Sequence, residues 1–449
     1  MELEKRLKQK KSQYLETLFE LLRFKSVSTL SSHKKDINDC ANYILNYFQK
    51  IGLDSEIYQT KGHPLVFAQT KQDPNKKTVL VYGHYDVQPA DPYDLWHSDP
   101  FEPECRDGYI YARGASDDKG QFFTHICALD LLQEQGELPV NLKFLIEGEE
   151  EISSPNIDDF LAVHQNKLSC DLVLVSDTPM YNEETPSICY SWRGMLYTEL
   201  TVYGPNRDIH SGQLGGIVQN PINALAHLIS KLKDEQNKVL IPGFYDDVPR
   251  LTKKQETFLK QCVSTDEMVK NELELSDLVC EDGFDSNACK WFRPTLDCNG
   301  IVGGYIEEGA KTIIPAKASS KISMRLVGYQ DPLNELEKLK RYLFSIVPKG
   351  VDLELNVLST GKPYFLDPDN MYLAKALIAV EQAFGKKGVL QGEGGSIPII
   401  NDFKDRLNVE TVLMGFNLPN DNIHSPNERF LESSFYSGIL ASCYFLTSV

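Results

Sequence analysis

The sequence predicts an α/β fold, in which a domain with a mostly parallel central sheet is interrupted by a smaller α+β domain. Short apolar runs alternate with helical patterns over residues 1–193, and this texture returns over residues 365–449, as in proteins built from parallel strands and crossover helices. Residues 194–364 instead carry alternating apolar and polar runs, which are typical of a half-exposed antiparallel sheet. Since 449 residues also exceed one ordinary core, we predict two domains with these boundaries.

Hydrophobic periodicity predicts the elements of the larger domain. Apolar residues at helical spacing indicate amphipathic helices, and continuous apolar runs that stop at glycine or at a charged residue indicate buried strands. The predicted helices are 11–23, 36–49, 121–132 and 371–384, and the predicted strands are 79–82, 141–146, 171–175 and 411–414.

The inserted segment has a different pattern. Alternation predicts strands at 195–203 and 321–327, and helical spacing predicts helices at 221–232, 253–263 and 334–343. Residues 238–299 are polar, and apart from the helix that begins at 253 we predict irregular structure for them.

Composition narrows the class of partner. Asp and Glu total 64 against 46 Lys and Arg, which gives a formal charge of −18 and argues against nucleic acid or an anionic membrane as partner. The first residues, Met-Glu-Leu-Glu-Lys-Arg, lead into no apolar core, so we expect no signal peptide. Ten cysteines occur without a Cys-x-x-Cys pair, which favours reduced thiols and a cytoplasmic protein.

Histidine and carboxylate residues stand at or just after the ends of apolar runs. They are His84, Asp86, Asp117, Glu150, Glu151, Asp177 and His424. Because ligands of open α/β sheets collect at the carboxyl ends of the strands, we expect these side chains to lie together. Two imidazoles with several carboxylates suit a pair of borderline divalent cations, zinc first, and two such cations support amide hydrolysis.

Each residue also has a simpler interpretation. His84 and Asp86 alone suit a surface turn, Asp117 suits a helix N-cap, and the acidic run at 149–151 suits a solvated loop. Like charges this close raise one another's pKa unless cations neutralise them, and Asp177 ends an apolar strand where an unpaired charge is costly. The sequence has no Gly-x-Ser-x-Gly, so a serine nucleophile lacks a candidate.

Six short motifs follow one another along the chain. They are Gly83-His-Tyr-Asp-Val-Gln-Pro89, Arg113-Gly-Ala-Ser-Asp-Asp-Lys-Gly120, Glu147-Gly-Glu-Glu-Glu151, Asp208-Ile-His-Ser-Gly212, Gly394-Gly-Ser-Ile-Pro398 and His424-Ser-Pro-Asn-Glu428. In this order they resemble the M20 family of metallopeptidases, particularly the branch of cytosolic non-specific dipeptidases and carnosinase-like enzymes. Any one motif is weak, but six in register over nearly the whole chain are specific.

The resemblance implies how these residues would hold two zinc ions per subunit, with Mn²⁺ or Co²⁺ as alternatives. His84 and Asp177 would hold one ion, Glu151 and His424 would hold the other, and Asp117 would bridge both. The resemblance also implies that Asp86 orients His84, that Glu150 is the general base, and that the Asp117–Asp118 peptide bond is cis.

The resemblance extends to the substrate. It assigns Arg325 to the C-terminal carboxylate of a short peptide, and it implies a homodimer in which His210 of the lid or dimerisation domain reaches the partner subunit's site. Glu393 could pair with a substrate ammonium, and we predict that Gly395 and Ser396 contact the substrate.

The chain departs from the family pattern at Gly392, where dipeptidases usually have arginine. The nearest alternative function is an N-acyl amino acid amidohydrolase of deacylase or desuccinylase type, which would use the same metals without an ammonium site. A catalytically silent binding protein would require the loss of Glu150 or of a ligand, and none is lost. A calcium protein conflicts with two histidine ligands, since calcium prefers oxygen.

Overall fold

The computed structural model describes residues 2–136, 138–260, 265–394 and 399–449. Packing divides the chain into a first unit, Met1–Tyr190 with Leu366–Gln391 and Ile399–Val449, and a second unit, Ser191–Phe365 with Gly392–Pro398. The predicted domain boundaries stay a prediction, because packing alone does not show that either part folds independently. Among the described residues, no helix has both the length and the apolar content needed to span a membrane.

The helices and strands are numbered in chain order. Up to Trp192 they are α1 (Glu2–Leu22), α2 (Lys34–Lys50), β1 (Asp54–Tyr58), β2 (Leu65–Gln69), β3 (Thr78–His84), β4 (Glu104–Arg106), β5 (Tyr109–Tyr111), α3 (Lys119–Gln133), β6 (Asn141–Glu147), α4 (Ile157–Leu168), β7 (Leu172–Val175) and β8 (Ser187–Trp192). The next are β9 (Gly194–Tyr203), β10 (Ile209–His210), α5 (Ser211–Leu214), α6 (Pro221–Ser230), α7 (Lys253–Leu259), α8 (Asp266–Glu272), α9 (Ser286–Phe292), β11 (Thr295–Gly303), β12 (Ile313–Ile314), β13 (Lys317–Leu326), α10 (Pro332–Ile346), β14 (Asp352–Gly361) and β15 (Tyr364–Phe365). The last are α11 (Met371–Phe384), β16 (Val389–Glu393), α12 (Ile399–Leu407), β17 (Thr411–Leu413), β18 (Arg429–Leu431) and α13 (Glu432–Ser448).

Each helix and strand predicted from periodicity has a counterpart, and the differences have physical reasons. α1 begins at Glu2 rather than at the predicted residue 11. The prediction missed its first turns because Leu7 is the only buried residue there before Tyr14, and one apolar residue makes no recognisable stripe. Part of the predicted helix at 253–263 lies outside the described residues. The prediction of irregular structure for 238–299 was wrong for α8, α9 and the start of β11. The two helices gave no periodic apolar signal in the sequence, because α8 buries no residue and α9 is only seven residues long.

The first unit is built on a sheet with a parallel centre. Its strand order is β1-β2-β6-β3-β7-β17-β8, and β6, β3, β7 and β17 run parallel to one another. β1, β2 and β8 add antiparallel strands at the two sides. All residues of β6 and β7 are buried, which is why their sequences read as continuous runs rather than as alternation.

This topology determines where the polar loops lie. β3 ends at His84, β6 ends at Glu147 just before the acidic run, and β7 ends two residues before Asp177. Since the three strands are parallel neighbours, the residues that leave them meet at one edge of the sheet.

The second unit contains a four-stranded antiparallel sheet of order β11-β13-β9-β14. β13 alternates between buried and more exposed residues, and its buried face packs with α6 and α10 in one apolar core that includes Leu200, Leu225, Ile322 and Leu339. The alternation that predicted a one-sided sheet therefore reflects one covered face.

Candidate metal centre

Two groups of donor atoms share one carboxylate at the carboxyl edge of the central sheet. The first group is His84, Asp117 and Asp177, and the second is Asp117, Glu151 and His424. Within each group the candidate ligand atoms all lie within 4.8 Å of one another. The structure therefore brings together all five residues that were predicted as metal ligands.

The two oxygens of Asp117 face different imidazoles. Oδ1 lies 3.0 Å from Nε2 of His84, and Oδ2 lies 2.8 Å from Nε2 of His424. Asp177 Oδ2 is 3.7 Å from the first imidazole, and Glu151 Oε2 is 3.2 Å from the second. One carboxylate placed between two donor groups is the arrangement expected of a ligand that bridges two cations.

Two buried polar atoms in this cluster have no hydrogen-bond partner among the described residues. Nε2 of His84 is buried, and no described residue completes a hydrogen bond with it, although Asp117 Oδ1 is close. Oδ1 of Asp118, next to the bridging residue, is likewise buried without a hydrogen-bond partner in the described part of the chain. Buried polar atoms normally find partners, and an imidazole nitrogen placed beside carboxylates in this way is suited to bind a cation.

The pKa shifts of the side chains in this cluster also fit a cation site. Burial and the neighbouring Asp117 carboxylate raise the pKa of Asp177 to about 7. Burial, followed by the charges of Asp177 and Asp117, raises the pKa of Glu150 well above its ordinary value. The pKa of His424 rises to about 10 because its ring hydrogen-bonds to Asp117 and Glu151. So many carboxylates in one buried place need positive charge, which divalent cations supply.

Asp86 acts on the glutamates as well as on His84. Its carboxylate is 3.5 Å from Nδ1 of His84, whereas its backbone oxygen is closer to that nitrogen, at 3.1 Å. The two carboxylate oxygens accept hydrogen bonds from the backbone N–H groups of Glu150 and Glu151, at 3.2 and 3.1 Å. Asp86 is fully buried, so it fixes the backbone of the turn that carries the proposed base and one proposed ligand.

Several contacts complete the loops around these residues. Gln88 donates from Nε2 to Glu151 Oε2 at 2.7 Å, a contact that the sequence did not predict although Gln88 lies in the first motif. Glu149, the first of the three glutamates, instead accepts from the backbone of His63 and from Asn156. The Asp117–Asp118 peptide bond is cis, which confirms that prediction.

The second unit contains the residues predicted to bind substrate. Arg325 lies in β13 opposite Met195 of β9, and it is close enough to Arg193 that the two charges repel. Burial and this repulsion lower the pKa of Arg193 to about 10, while its Nε donates to the carbonyl oxygen of Gly394 at 3.3 Å. Glu393 accepts from the N–H of Gly394 at 2.6 Å. Arg193, a single residue before β9, had no signal in the sequence pattern.

Two predicted substrate residues, Gly395 and Ser396, lie outside the described residues.

Gly392, where the family usually has arginine, lies against Trp291. A Cβ at this position would be 2.6 Å from the Cβ of Trp291 and 2.9 Å from Oγ of Ser191. The indole therefore packs where a side chain at 392 would begin, and glycine is the residue that allows it.

His210 is exposed at the end of β10. Its Nδ1 accepts a hydrogen bond from the N–H of Gly212 at 3.0 Å. In the neutral ring Nε2 must then carry the proton, so the side chain presents one N–H donor to its surroundings.

Comparisons with known proteins identify the family. Residues 80–448 match the sequence model described as peptidase family M20/M25/M40. The Cys-Gly metallodipeptidase dug1 of Schizosaccharomyces pombe is 32% identical over 458 residues, which cover 97% of this chain and 95% of that protein. The human Beta-Ala-His dipeptidase is 31% identical over 390 residues, covering 85% and 77%.

A solved structure gives the same result for the fold. The M20 family metallo-carboxypeptidase Sso-CP2 of Sulfolobus solfataricus superposes with a TM-score of 0.82 at 32% identity, covering 97% of this chain and 98% of that one. This likeness confirms the predicted α/β fold with a mostly parallel central sheet. With a family match that spans most of its length and a relative of similar length above 30% identity, the chain belongs to peptidase family M20/M25/M40.

Proposed function

We propose that this protein is a metal-dependent dipeptidase that hydrolyses the peptide bond of dipeptides or short peptides with a free C-terminal carboxylate. The observation that carries the proposal is Asp117, whose two oxygens face His84 at 3.0 Å and His424 at 2.8 Å. Membership of the M20 family supports metal dependence, and relatives named as dipeptidases support the substrate class.

The proposed cofactor is two zinc ions per subunit, with Mn²⁺ or Co²⁺ able to substitute. His84 and Asp177 would hold one ion, Glu151 and His424 the other, and Asp117 both. Imidazole and carboxylate donors suit zinc, whereas calcium prefers oxygen alone. When bound, such cations polarise the scissile carbonyl and a water molecule.

Glu150 is the proposed general base. In this role its carboxylate takes a proton from the attacking water and delivers it to the amine that leaves. Burial raises the pKa of Glu150 in the metal-free protein, and bound cations would lower it toward the range in which the carboxylate can accept a proton. Asp86 holds the backbone N–H groups of Glu150 and Glu151, so the base and the ligand beside it keep their relative positions.

The substrate's ends are assigned to the second unit. Arg325 would bind the terminal carboxylate, since a guanidinium matches a carboxylate with two parallel hydrogen bonds. Glu393 would pair with an ammonium, and Gly395 and Ser396 would contact the peptide. His210 of the partner subunit would donate a hydrogen bond from its Nε2–H group to the developing oxyanion.

A homodimer through the second unit is part of the proposal. β11 and β14 are the end strands of its four-stranded sheet. They present exposed apolar residues such as Ile301, Val302 and Leu358, and an exposed edge of this kind invites pairing with a second copy. We further propose that the enzyme works in the cytoplasm.

Metal analysis of the purified protein together with a substrate panel tests the proposal. Two equivalents of zinc per chain and hydrolysis of Ala-Ala are expected. N-acetyl-alanine distinguishes an amidohydrolase, and the C-terminal amide of Ala-Ala should be a poor substrate if Arg325 needs a free carboxylate. Faster hydrolysis of N-acetyl-alanine than of Ala-Ala would overturn the assignment of a dipeptidase.

The shared site has its own test. His210→Ala and Glu150→Gln should each be nearly inactive with zinc retained. Mixing the two variants under conditions of subunit exchange should restore activity, because one site of the heterodimer regains both groups. Subunit exchange without recovery would refute the role of His210 across the dimer.

A further inference from the structure

Glu428 is a buried carboxylate with an unusual concentration of donors around it. Its side chain is fully buried. Oε2 accepts from Nη1 of Arg113 at 2.7 Å and from the N–H of Gly114 at 3.0 Å. Oε1 accepts from the N–H of Ser116 at 2.9 Å and from the N–H of Asp117 at 3.1 Å. One side chain therefore holds the loop at 113–117, including the backbone of the proposed bridging ligand.

The other end of this connection is the loop that carries His424. Glu428 follows His424 by four residues, and its own carbonyl oxygen accepts from the N–H of Ala112 at 3.2 Å. The hydroxyl of Ser116 also joins the same two loops. Its Oγ donates to Oδ2 of Asp421 at 3.1 Å and to the carbonyl oxygen of Arg429 at 2.8 Å. The loops that carry Asp117 and His424 thus meet through buried hydrogen bonds.

The His424 loop has a backbone that needs such support. Asn422, His424 and Asn427 have φ angles of 56°, 60° and 62°. Residues other than glycine adopt this left-handed conformation at a cost, and they retain it only where surrounding contacts hold them. His424 is also half exposed at its side chain, so burial of the imidazole does not fix it.

A plain buried ion pair is the simpler explanation of Glu428, and it accounts for only part of the arrangement. Neutralising the charge of Arg113 would require one contact between the two side chains. Three of the four donors are instead backbone N–H groups of the Asp117 loop. A carboxylate that accepts from successive backbone N–H groups fixes the path of the chain as well as the charge.

We propose that Glu428 is a positioning residue that fixes Asp117 and His424 relative to each other, and so sets the spacing of both donor groups before any cation binds. The inference rests on the proposed metal centre for its purpose. The connection of the two loops by the Glu428 carboxylate exists in the metal-free protein, so it can be measured without catalysis.

Amide hydrogen exchange of the metal-free protein tests it. Glu428→Gln keeps the shape of the side chain but turns N–H donors of the new amide toward the backbone N–H groups of the loop. We expect exchange in peptides from 113–118 and 421–427 to accelerate about tenfold or more, with β3 and β7 unchanged. Unchanged exchange in both loops would overturn the proposal, and so would equal acceleration throughout the protein.

Cation binding provides the second measurement. Because supporting contacts of metal ligands typically alter affinity about 10–100-fold, Glu428→Gln should weaken binding of Co²⁺ by that factor. Saturating Co²⁺ should recover most of kcat with KM unchanged, since the variant leaves Glu150 and the substrate residues in place. Wild-type affinity for Co²⁺ would overturn the proposal.

Two further variants complete the design. Glu335 is a fully buried glutamate in α10 of the second unit, and it binds Lys338. Glu335→Gln is the control for the effect of burying an amide. Amide exchange in the two loops and the affinity for Co²⁺ should match the wild type. If Glu428→Gln does not fold, Glu428→Asp replaces it, since a shorter carboxylate keeps the charge for Arg113 but cannot reach both pairs of donors. Absence of peptidase activity in the wild type would refute the proposed function while leaving the exchange result to decide the role of Glu428.

Discussion

Glu150→Gln separates proton transfer from metal binding more cleanly than any other substitution in this site. The turn that carries Glu150 is held by its backbone, since the N–H groups of Glu150 and Glu151 donate to Asp86. Glutamine has the same shape, and it preserves both of those contacts. The five proposed ligands also remain, because Glu150 belongs to neither donor group. The variant should therefore bind two cations and fail in catalysis.

The size of the effect follows from the proposed role. Loss of a positioned general base lowers a rate by about 10²–10⁴-fold, which corresponds to about 2.7–5.4 kcal/mol in the activation barrier. The amide cannot take up a proton, so kcat should fall by this factor, whereas KM should change little because Arg325 and Glu393 are untouched. The assay is Ala-Ala hydrolysis at saturating substrate, run beside zinc analysis of the same preparation.

Glu151→Gln is the matched control, because it removes a proposed ligand from the neighbouring position. It should lose zinc from the His424 group, and added metal should recover some activity. If Glu150→Gln loses zinc while Glu151→Gln keeps it, the roles of the two glutamates are exchanged. A kcat for Glu150→Gln within threefold of wild type would show that another group transfers the proton.

Three further predictions concern the proposed metal centre and the segments around it. Asp86→Asn should lower both kcat and zinc affinity by about 10–100-fold, because one oxygen that accepts from Glu150 or Glu151 becomes an NH₂ donor; unchanged zinc affinity by chelator competition would contradict this. Cation binding should release protons, because His424, with a pKa of about 10, is protonated below that pH in the metal-free protein and must lose its proton to bind a metal. Affinity should therefore rise with pH between 6 and 9, and calorimetry in two buffers of different ionisation enthalpy should show the release; equal heats in both would refute it. Gly120→Ala should destabilise the metal-free protein by about 1–3 kcal/mol in denaturant unfolding, because its Cβ would lie 2.0 Å from the carbonyl oxygen of Ala115, whereas Gly300→Ala, with nothing within 4 Å, should have little effect.

The sequence could predict those parts of the site that local pattern controls. His84 ends a buried strand, Glu150 and Glu151 follow another, and Asp177 follows a third. The rule that ligands gather at the carboxyl ends of parallel strands was then enough to place them together. The apolar runs are unambiguous because β6 and β7 are buried on both faces.

His424 is a different case, because nothing in its own segment marks it as a ligand. It lies in a polar loop with a positive φ angle, and its proximity to Asp117 arises from a contact across 307 positions of sequence. Only the order of six motifs, through the resemblance to a family, could predict its position. Pattern within a segment carries no information about which distant loop it will meet.

The same limit explains why Arg193 and Glu428 were given no role. Glu428 binds Arg113, which is 315 positions away in the sequence. Arg193 stands out only because the fold brings it close to Arg325 of β13. A charged residue in a loop looks solvated until the fold buries it. α8 and α9 were missed for the converse reason, since helices of seven residues are too short to show a periodic apolar face.

The two donor groups therefore depend on different kinds of structure. His84 has a fixed backbone, since it ends a central strand, is fully buried and pairs with Glu147 of the neighbouring strand β6. His424 is half exposed on a loop of left-handed residues, and hydrogen bonds of Glu428 and Asp421 to the Asp117 loop hold it in place. Asp117 belongs to both groups, so any loosening of its loop reaches the sheet-borne group as well. The precision of the whole centre is thus set by its less rigid half, and the buried carboxylate of Glu428 controls that half.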